Sequence, residues 1–286
     1  MGMKFSVALA QISPTLGNVE KNFEKCERII EQAIRDRIDL IVFPELTLTG
    51  YFIKDIVASV AITRESPILK KLLAYSKRVS IVIGAVEETS DFTFYNTAFY
   101  LEDGKIVHAH RKVYLPTYGL FDEHRYLAAG NRIRAFDTKF GRMGILICED
   151  LWHPTAVAIT ALDGAHYLIG ISCSPGRGIE AADRLGSSIT WERLNRTYAQ
   201  IYSLYVLYCN RTGFEDGVNF WGGSEIISPS GEQVIKALYI QEDFIHTTLN
   251  DRAIRRERII TPLIRDEQLH LTIQELERIY RERFED

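Results

Sequence analysis

The sequence predicts an α/β protein built on a mixed sheet, and three observations carry that expectation. Short runs rich in Val, Ile, Leu, Phe and Tyr alternate along the chain with segments of helical apolar spacing, the pattern of strands interleaved with helices. Some runs, YLIGIS (167–172) most plainly, are apolar at nearly every position, as strands covered on both faces are. Between them NTAFYLEDGKIVHAHRK (96–112) reads as a hairpin turning at Asp103–Gly104, which adds antiparallel pairing.

In chain order, Phe5–Gln11 is the first expected strand, followed by a helix in which Val19, Phe23, Cys26, Ile29/Ile30 and Ala33/Ile34 recur every three or four residues. Asp39–Phe43 is a strand, Ser66–Lys77 a helix, and Ile81–Val86, Asn96–Leu101 and Ile106–Val113 are strands. Strand Gly144–Cys148, helix Pro154–Leu162, strand Tyr167–Ser172, helix Ser187–Ile201 and strands Tyr205–Cys209 and Ser224–Ile227 continue the alternation. The tail TIQELERIYRERF (272–284) reads as a charged amphipathic helix with Ile273, Leu276, Ile279 and Tyr280 as its apolar stripe, able to pack on the body or on a second subunit. No Gly/Ser- or Pro-rich linker divides the sequence, so one domain over residues 1–286 is expected, with a C-terminal extension from about 251 to 286.

Composition narrows the function. A net charge of -4 and a pI near 6.0 give no electrostatic footprint for nucleic acid, which leaves a small molecule as the expected partner. No apolar run approaches the roughly 20 residues that cross a bilayer, and the start MGMKFSVALAQISP lacks a signal-peptide pattern, so no membrane association and a cytoplasmic location are expected. Cys26, Cys148, Cys173 and Cys209 are widely spaced and never CxxC, which fits free thiols, with a reactive one as a candidate among them, rather than a metal cluster or disulfide framework. No metal or cofactor is expected.

Three reactive side chains stand where apolar strands end: Glu45 after DLIVFP, Lys112 after IVHAHR, and Cys148 closing GILIC. Strand exits in α/β folds present side chains into a common crevice. A thiol with a free pKa of about 8.5 needs a base to take its proton or a cation to stabilise the thiolate, and Glu45 and Lys112 supply one of each. Attack on an amide creates an oxyanion that Lys112 and the backbone N–H of Glu149 could stabilise. Taken singly, a cysteine at a strand end is more often a core residue, and a lone Glu or Lys there a solvated rim charge. His108 and His110 alternate on one strand face as a metal pair would, but no third ligand accompanies them, so structural roles are expected. His153 offers a papain-like partner for Cys148, Cys173 reads as a wall thiol, and the glycines of WGGS and GRG read as turns.

The segments FPELTLTGY (43–51), RKVYLPTYGLFDEHRYLAAG (111–130), GILICEDLWHP (144–154) and NRTGFEDGVNFWGGSEIISPSGE (210–232) together resemble the nitrilase superfamily of carbon–nitrogen hydrolases. That resemblance implies a four-layer α-β-β-α sandwich, commonly paired into a homodimer or higher homo-oligomer, with Glu45 as general base, Lys112 as oxyanion lysine and Cys148 as nucleophile. Within the superfamily the motifs are most similar to the glutaminase domain of glutamine-dependent NAD synthetases, which implies that Tyr51, Tyr118, Phe121 and Glu123 line the substrate pocket, Glu123 also supporting the lysine. Glu149, through the backbone N–H just after Cys148, and Ser174 are further pocket candidates, while SCSPGRG (172–178) departs from that branch and leaves Arg177 without an assigned role. The resemblance implies hydrolysis of a small amide, with a nitrile, an N-carbamoyl compound or ammonia supply to a synthetase as alternatives. The chain contains no Gly-rich ATP-binding synthetase domain, so a complete NAD synthetase is not expected.

Overall fold

A computed structural model describes residues 2–181 and 184–285. The chain opens with β1 (Lys4–Gln11), α1 (Val19–Arg35), β2 (Leu40–Val42), α2 (Val57–Val60), α3 (Pro67–Tyr75), β3 (Ser80–Glu88), β4 (Phe94–Glu102) and β5 (Lys105–Arg111). It continues through β6 (Ala135–Thr138), β7 (Gly141–Ile147), α4 (Pro154–Leu162), β8 (Tyr167–Ser172), a ribbon of β9 (Ile179–Ala181) and β10 (Arg184–Leu185), α5 (Gly186–Tyr202) and β11 (Tyr205–Asn210). A hairpin of β12 (Thr212–Glu215) and β13 (Val218–Trp221) precedes β14 (Glu225–Ile227), β15 (Gln233–Lys236) and β16 (Asp243–Asn250), and α6 (Asp251–Ile260), α7 (Leu263–Asp266) and α8 (Leu269–Arg283) end the chain.

These strands form two six-stranded sheets, ordered β16-β1-β2-β3-β4-β5 and β15-β14-β11-β8-β7-β6. Each has a parallel centre, β1-β2-β3 in one and β7-β8-β11 in the other, flanked by antiparallel strands. Alternation along β1 displays the layering, because successive side chains point to opposite faces. Val7 and Leu9 join a core that contains Val42, Val82 and Tyr100 of their own sheet and Ile145, Ile147, Ile169 and Leu207 of the other. Ala8 and Ala10 join a second core with Phe23, Cys26 and Ile30 of α1 and Leu69 and Leu72 of α3. Helices α4 and α5 cover the far face of the second sheet through Ala156, Val157, Trp191 and Tyr198. The result is the expected α/β architecture with the four layers α-β-β-α.

Local chemistry sets the element ends. Asn18 caps α1 by accepting from the Lys21 N–H at 3.0 Å, and Ser66 caps α3 by accepting from Leu69 N–H at 3.3 Å, with Pro67 in the first turn. Several expected boundaries shift. The expected strand 106–113 ends at Arg111, which leaves Lys112 beyond the sheet, and Cys148 starts a 3₁₀ turn, Cys148–Trp152, instead of closing β7. The expected tail helix begins three residues early, at Leu269, and its face of Leu269, Ile273, Leu276 and Tyr280 is exposed, not packed on the body. Strand β16 was not expected because DFIHTTLN buries only Ile245 and Leu249, too sparse an apolar pattern to register. Among the described residues no helix is long and apolar enough to cross a membrane.

One glycine brings the turn after β2 against β3. A Cβ on Gly84 would lie 2.5 Å from Leu46 N, 2.7 Å from Pro44 O and 2.9 Å from Glu45 C. All three are backbone atoms, which cannot rotate aside. Gly84→Ala is therefore expected to destabilise the protein by about 1–3 kcal/mol through overpacking. A urea titration checks this, the expected outcome being a lower midpoint at unchanged slope.

Candidate active site

The crevice forms where four strand exits meet. Phe43 N–H still bonds Val82 O at 2.8 Å; the chain then turns at Pro44, the Thr47 hydroxyl donates to Pro44 O at 2.6 Å, and Leu46 takes a left-handed φ of 47°. Glu45 sits in this turn, fully buried. Lys112 leaves β5 with its N–H on Asn96 O at 2.9 Å and its carbonyl accepting from Gly130 N–H at 2.7 Å. The exit of β8 contributes Cys173, whose N–H donates to Glu45 Oε2 at 2.6 Å.

The charges interlock. Lys112 Nζ donates to Glu45 Oε1 at 2.9 Å and to Glu123 Oε1 at 2.6 Å, both contacts shut off from solvent. Asn96 Nδ2 donates to Glu45 Oε1 at 2.7 Å, and Tyr51 OH to Glu123 Oε1 at 2.6 Å. Burial disfavours the Lys112 ammonium, but Glu123 and Glu45 outweigh it and hold its pKa well above the usual lysine value. Two carboxylates sharing one cation leave an excess of negative charge. Burial, opposed by Lys112 and reinforced by Glu45, pushes Glu123 up to about 7. Its second oxygen, Oε2, is buried without a protein partner among the described residues.

Cys148 has φ 44°, a conformation costing a non-glycine residue about 1–3 kcal/mol and concentrated at functional sites. Its Sγ accepts from the Ser172 hydroxyl at 3.2 Å. Burial, then the negative field of Glu45, push the thiol well above its ordinary pKa despite the opposing Lys112 charge.

The remaining candidates divide. Tyr51 belongs to the buried cluster, and Phe121 bridges outward, edge-on to Tyr51 at 6.1 Å and to Tyr118 at 5.5 Å. Tyr118 is half exposed and donates to both carboxylate oxygens of Glu149, at 3.1 and 3.0 Å. Arg177 lies over the Phe121 ring at 4.7 Å, closing the same rim. Ser174 is buried, its hydroxyl accepting from Trp221 Nε1 at 3.1 Å. His153 stacks on Tyr114 at 3.5 Å between centroids, and Cys173 Sγ faces the Glu45 carbonyl at 3.1 Å. No group of three metal-type ligands occurs among the described residues.

With that geometry in view, comparison with known proteins is decisive. Residues 6–256 match the family model for carbon-nitrogen hydrolase. The chain belongs to the carbon–nitrogen hydrolase family. It is 31% identical over 267 residues to a glutamine-dependent NAD(+) synthetase of Thermotoga maritima, a match covering 91% of this chain and 44% of that protein. The solved glutamine-dependent NAD+ synthetase of Acinetobacter baumannii superposes with a TM-score of 0.77 at 29% identity, over 88% of this chain and 46% of that one. The carbon-nitrogen hydrolase of Helicobacter pylori shares the fold over 94% of this chain and 96% of its own, with a TM-score of 0.83 at 23% identity. The chain thus spans less than half the length of the NAD(+) synthetases it matches. As a carbon–nitrogen hydrolase it is an enzyme.

Two supports of this hydrolase site escaped the sequence reading. Asp150, fully buried, accepts from Val113 N–H and Tyr114 N–H at 3.0 Å through Oδ1, and from Ile147 N–H at 3.0 Å and His110 Nε2 at 2.8 Å through Oδ2. It ties the chain beyond Lys112 to the turn that carries Cys148, and it gives His110 the expected structural role. Burial raises its pKa, but the His110 contact and the backbone donors prevail and hold it below the usual range. Glu215 accepts from Tyr51 N–H and Phe52 N–H, both at 2.7 Å, and is itself held by the buried Arg211. The adjacency Cys-Glu-Asp was visible in the sequence, but which neighbour turned inward was not.

All four of Asp150's partners are donors. In Asp150→Asn the amide NH₂ meets two of them, leaving buried donors unpaired at about 1–3 kcal/mol each. Urea unfolding at neutral pH is expected to register that loss. It should shrink toward low pH, because a carboxylate with a depressed pKa stabilises the wild type above the unfolded value of about 3.9 and ceases to as pH falls through the folded value.

Proposed function

We propose that the protein hydrolyses the carbon–nitrogen bond of a small amide through a thioester on Cys148, with Glu45 as general base and Lys112 stabilising the oxyanion. The observation that carries this reading is the buried Lys112 ammonium bonded to Glu45 and Glu123 beside a conformationally strained cysteine. Glu45 takes the thiol proton as sulfur attacks the carbonyl carbon. The carbonyl π-electrons move onto oxygen, where Lys112 and the Glu149 N–H donate to it. Collapse of the adduct expels the amine, which receives the proton from Glu45 and leaves as ammonia or a primary amine. Water, deprotonated by Glu45, then attacks the thioester; the carboxylate product departs and the thiol regains its proton.

Similarity to the glutamine-dependent synthetases favours a substrate of the glutamine kind, an amide on a chain bearing its own ammonium. Glu123 Oε2, without a hydrogen-bond partner among the described residues, supplies an acceptor for such an ammonium, with Tyr51, Phe121, Tyr118 and Glu149 forming the wall and rim. A second reading, a partner-gated subunit that delivers ammonia to a synthetase, draws on the same similarity to glutamine-dependent NAD(+) synthetases. Nitriles and N-carbamoyl compounds are the neighbouring substrate classes, and a homo-oligomer the expected assembly.

An ammonia-release screen over amides, carbamoyl compounds and nitriles tests the class. Cys148→Ala is expected to abolish turnover with the circular dichroism spectrum intact, and acid-quenched wild type to carry an acyl adduct on Cys148 by intact-mass and peptide analysis. A folded, active alanine variant or an adduct on Cys173 would overturn the assignment.

Lys112→Met removes the charge and keeps the apolar stem. Loss of an oxyanion donor lowers kcat by roughly 10²–10³, and loss of a full charge is expected to do at least as much. Steady-state kinetics on one confirmed amide would read this, with wild-type kcat/KM contradicting the oxyanion role. In the same assay Glu123→Gln raises KM most if Oε2 holds the substrate ammonium, and kcat falls instead if Glu123 only orients Lys112.

A further inference from the structure

We infer that a cavity at the β5 edge of the first sheet, distinct from the cysteine crevice, binds a small phosphate-bearing anion. The cavity is about 420 Å³, within the size range of small-molecule sites. Four arginines line it, Arg64, Arg111, Arg132 and Arg134, together with His108 and Asn131. That concentration of positive charge stands on a chain whose net charge is -4.

Two of the arginines are held in place. The Nε atoms of Arg64 and Arg111 lie 3.0 and 2.8 Å from the two oxygens of buried Glu87, and Arg111 also stacks over the Tyr95 ring at 4.0 Å. One carboxylate therefore anchors two guanidinium groups through Nε, leaving their outer N–H forks for a ligand. Arg132 and Arg134 are exposed and make no ion pair among the described residues. Asp163 lies within the field of Arg134, but its oxygens already accept from Arg142 and the Ala135 N–H. Glu65 and Glu88 line the adjacent groove, not this cavity.

An independent observation points to a missing partner. His108 Nε2 is buried with no hydrogen bond among the described residues, while its ring is fixed by stacking on Phe136 at 4.2 Å. A neutral imidazole carries one donor and one acceptor nitrogen, so His108 brings an unsatisfied polar edge to the wall of the arginine cavity. A guanidinium fork fits carboxylate and phosphate oxygens alike, but four of them around one cavity offer more donors and more positive charge than a single carboxylate can use, which favours phosphate or pyrophosphate.

Isothermal titration of the full chain with pyrophosphate, orthophosphate and adenosine monophosphate, at constant ionic strength, tests the site. Saturable binding of at least one of them is expected with Kd below about 1 mM, weakened roughly tenfold or more in Arg132→Ala/Arg134→Ala, whose exposed positions leave the circular dichroism unchanged. Pyrophosphate and orthophosphate without the nucleotide would assign a free inorganic anion; the nucleotide in addition would assign a phosphate ester. No binding by the wild type, or equal binding by the double variant, would overturn the proposal. So would binding of a heparin fragment with none of the three small anions, since the arginines would then form a docking face for a polyanion.

Discussion

The structure depends on keeping an ammonium ion out of water. Removing Lys112 from solvent is costly, and burial by itself would favour the neutral amine. Two carboxylates from different loops reverse that preference, and each needs further donors: Asn96 and the Cys173 N–H on Glu45, Tyr51 on Glu123. The donors come from separate parts of the chain, Asn96 from within β4, Tyr51 from the loop after β2 and Cys173 from the exit of β8. The fold around the crevice can be read as the set of backbone connections that satisfies this one buried charge.

That requirement explains why strain and close packing gather here. Glu45 reaches the lysine only because its turn rests directly on Gly84, and Cys148 reaches the crevice from a left-handed backbone position that a cysteine does not ordinarily adopt. Such positions persist where surrounding contacts over-determine them. Asp150, with four donors on one carboxylate, supplies that over-determination on the Cys148 side, and the Arg211–Glu215 pair supplies it beneath Tyr51.

Much of this was legible in the sequence. Apolar runs located nine of the twelve strands in the two sheets; β8 and β11, buried throughout, were plain, whereas the short β6 and β15 were missed and β16, with two buried side chains in an edge strand, was silent. Glu45, Lys112 and Cys148 were visible because reactive side chains interrupt apolar runs at their ends. Asp150 and Glu215 were not, since a carboxylate that accepts backbone N–H groups has the same sequence signature as a solvated one. Their function lies in contacts between segments far apart in the chain, with 37 residues separating Asp150 from Val113 and 164 separating Glu215 from Tyr51.

The crevice also straddles the seam between the two sheets. Glu45 and Lys112 follow strands of the first sheet, Cys148 and Cys173 strands of the second, and the bonds from Cys173 N–H to Glu45 and from Val113 N–H to Asp150 cross between them. Further hydrogen bonds join the sheets, among them Tyr205 OH to Asn250 O at 3.3 Å, but most of their contact is between apolar side chains, which tolerate sliding far better than hydrogen bonds do. A slip of one sheet past the other by about an ångström would leave both sheets folded and most of the core dry, yet shift Cys148 relative to Glu45 and Lys112. Catalytic competence in such a molecule is a vernier for the register of its two halves.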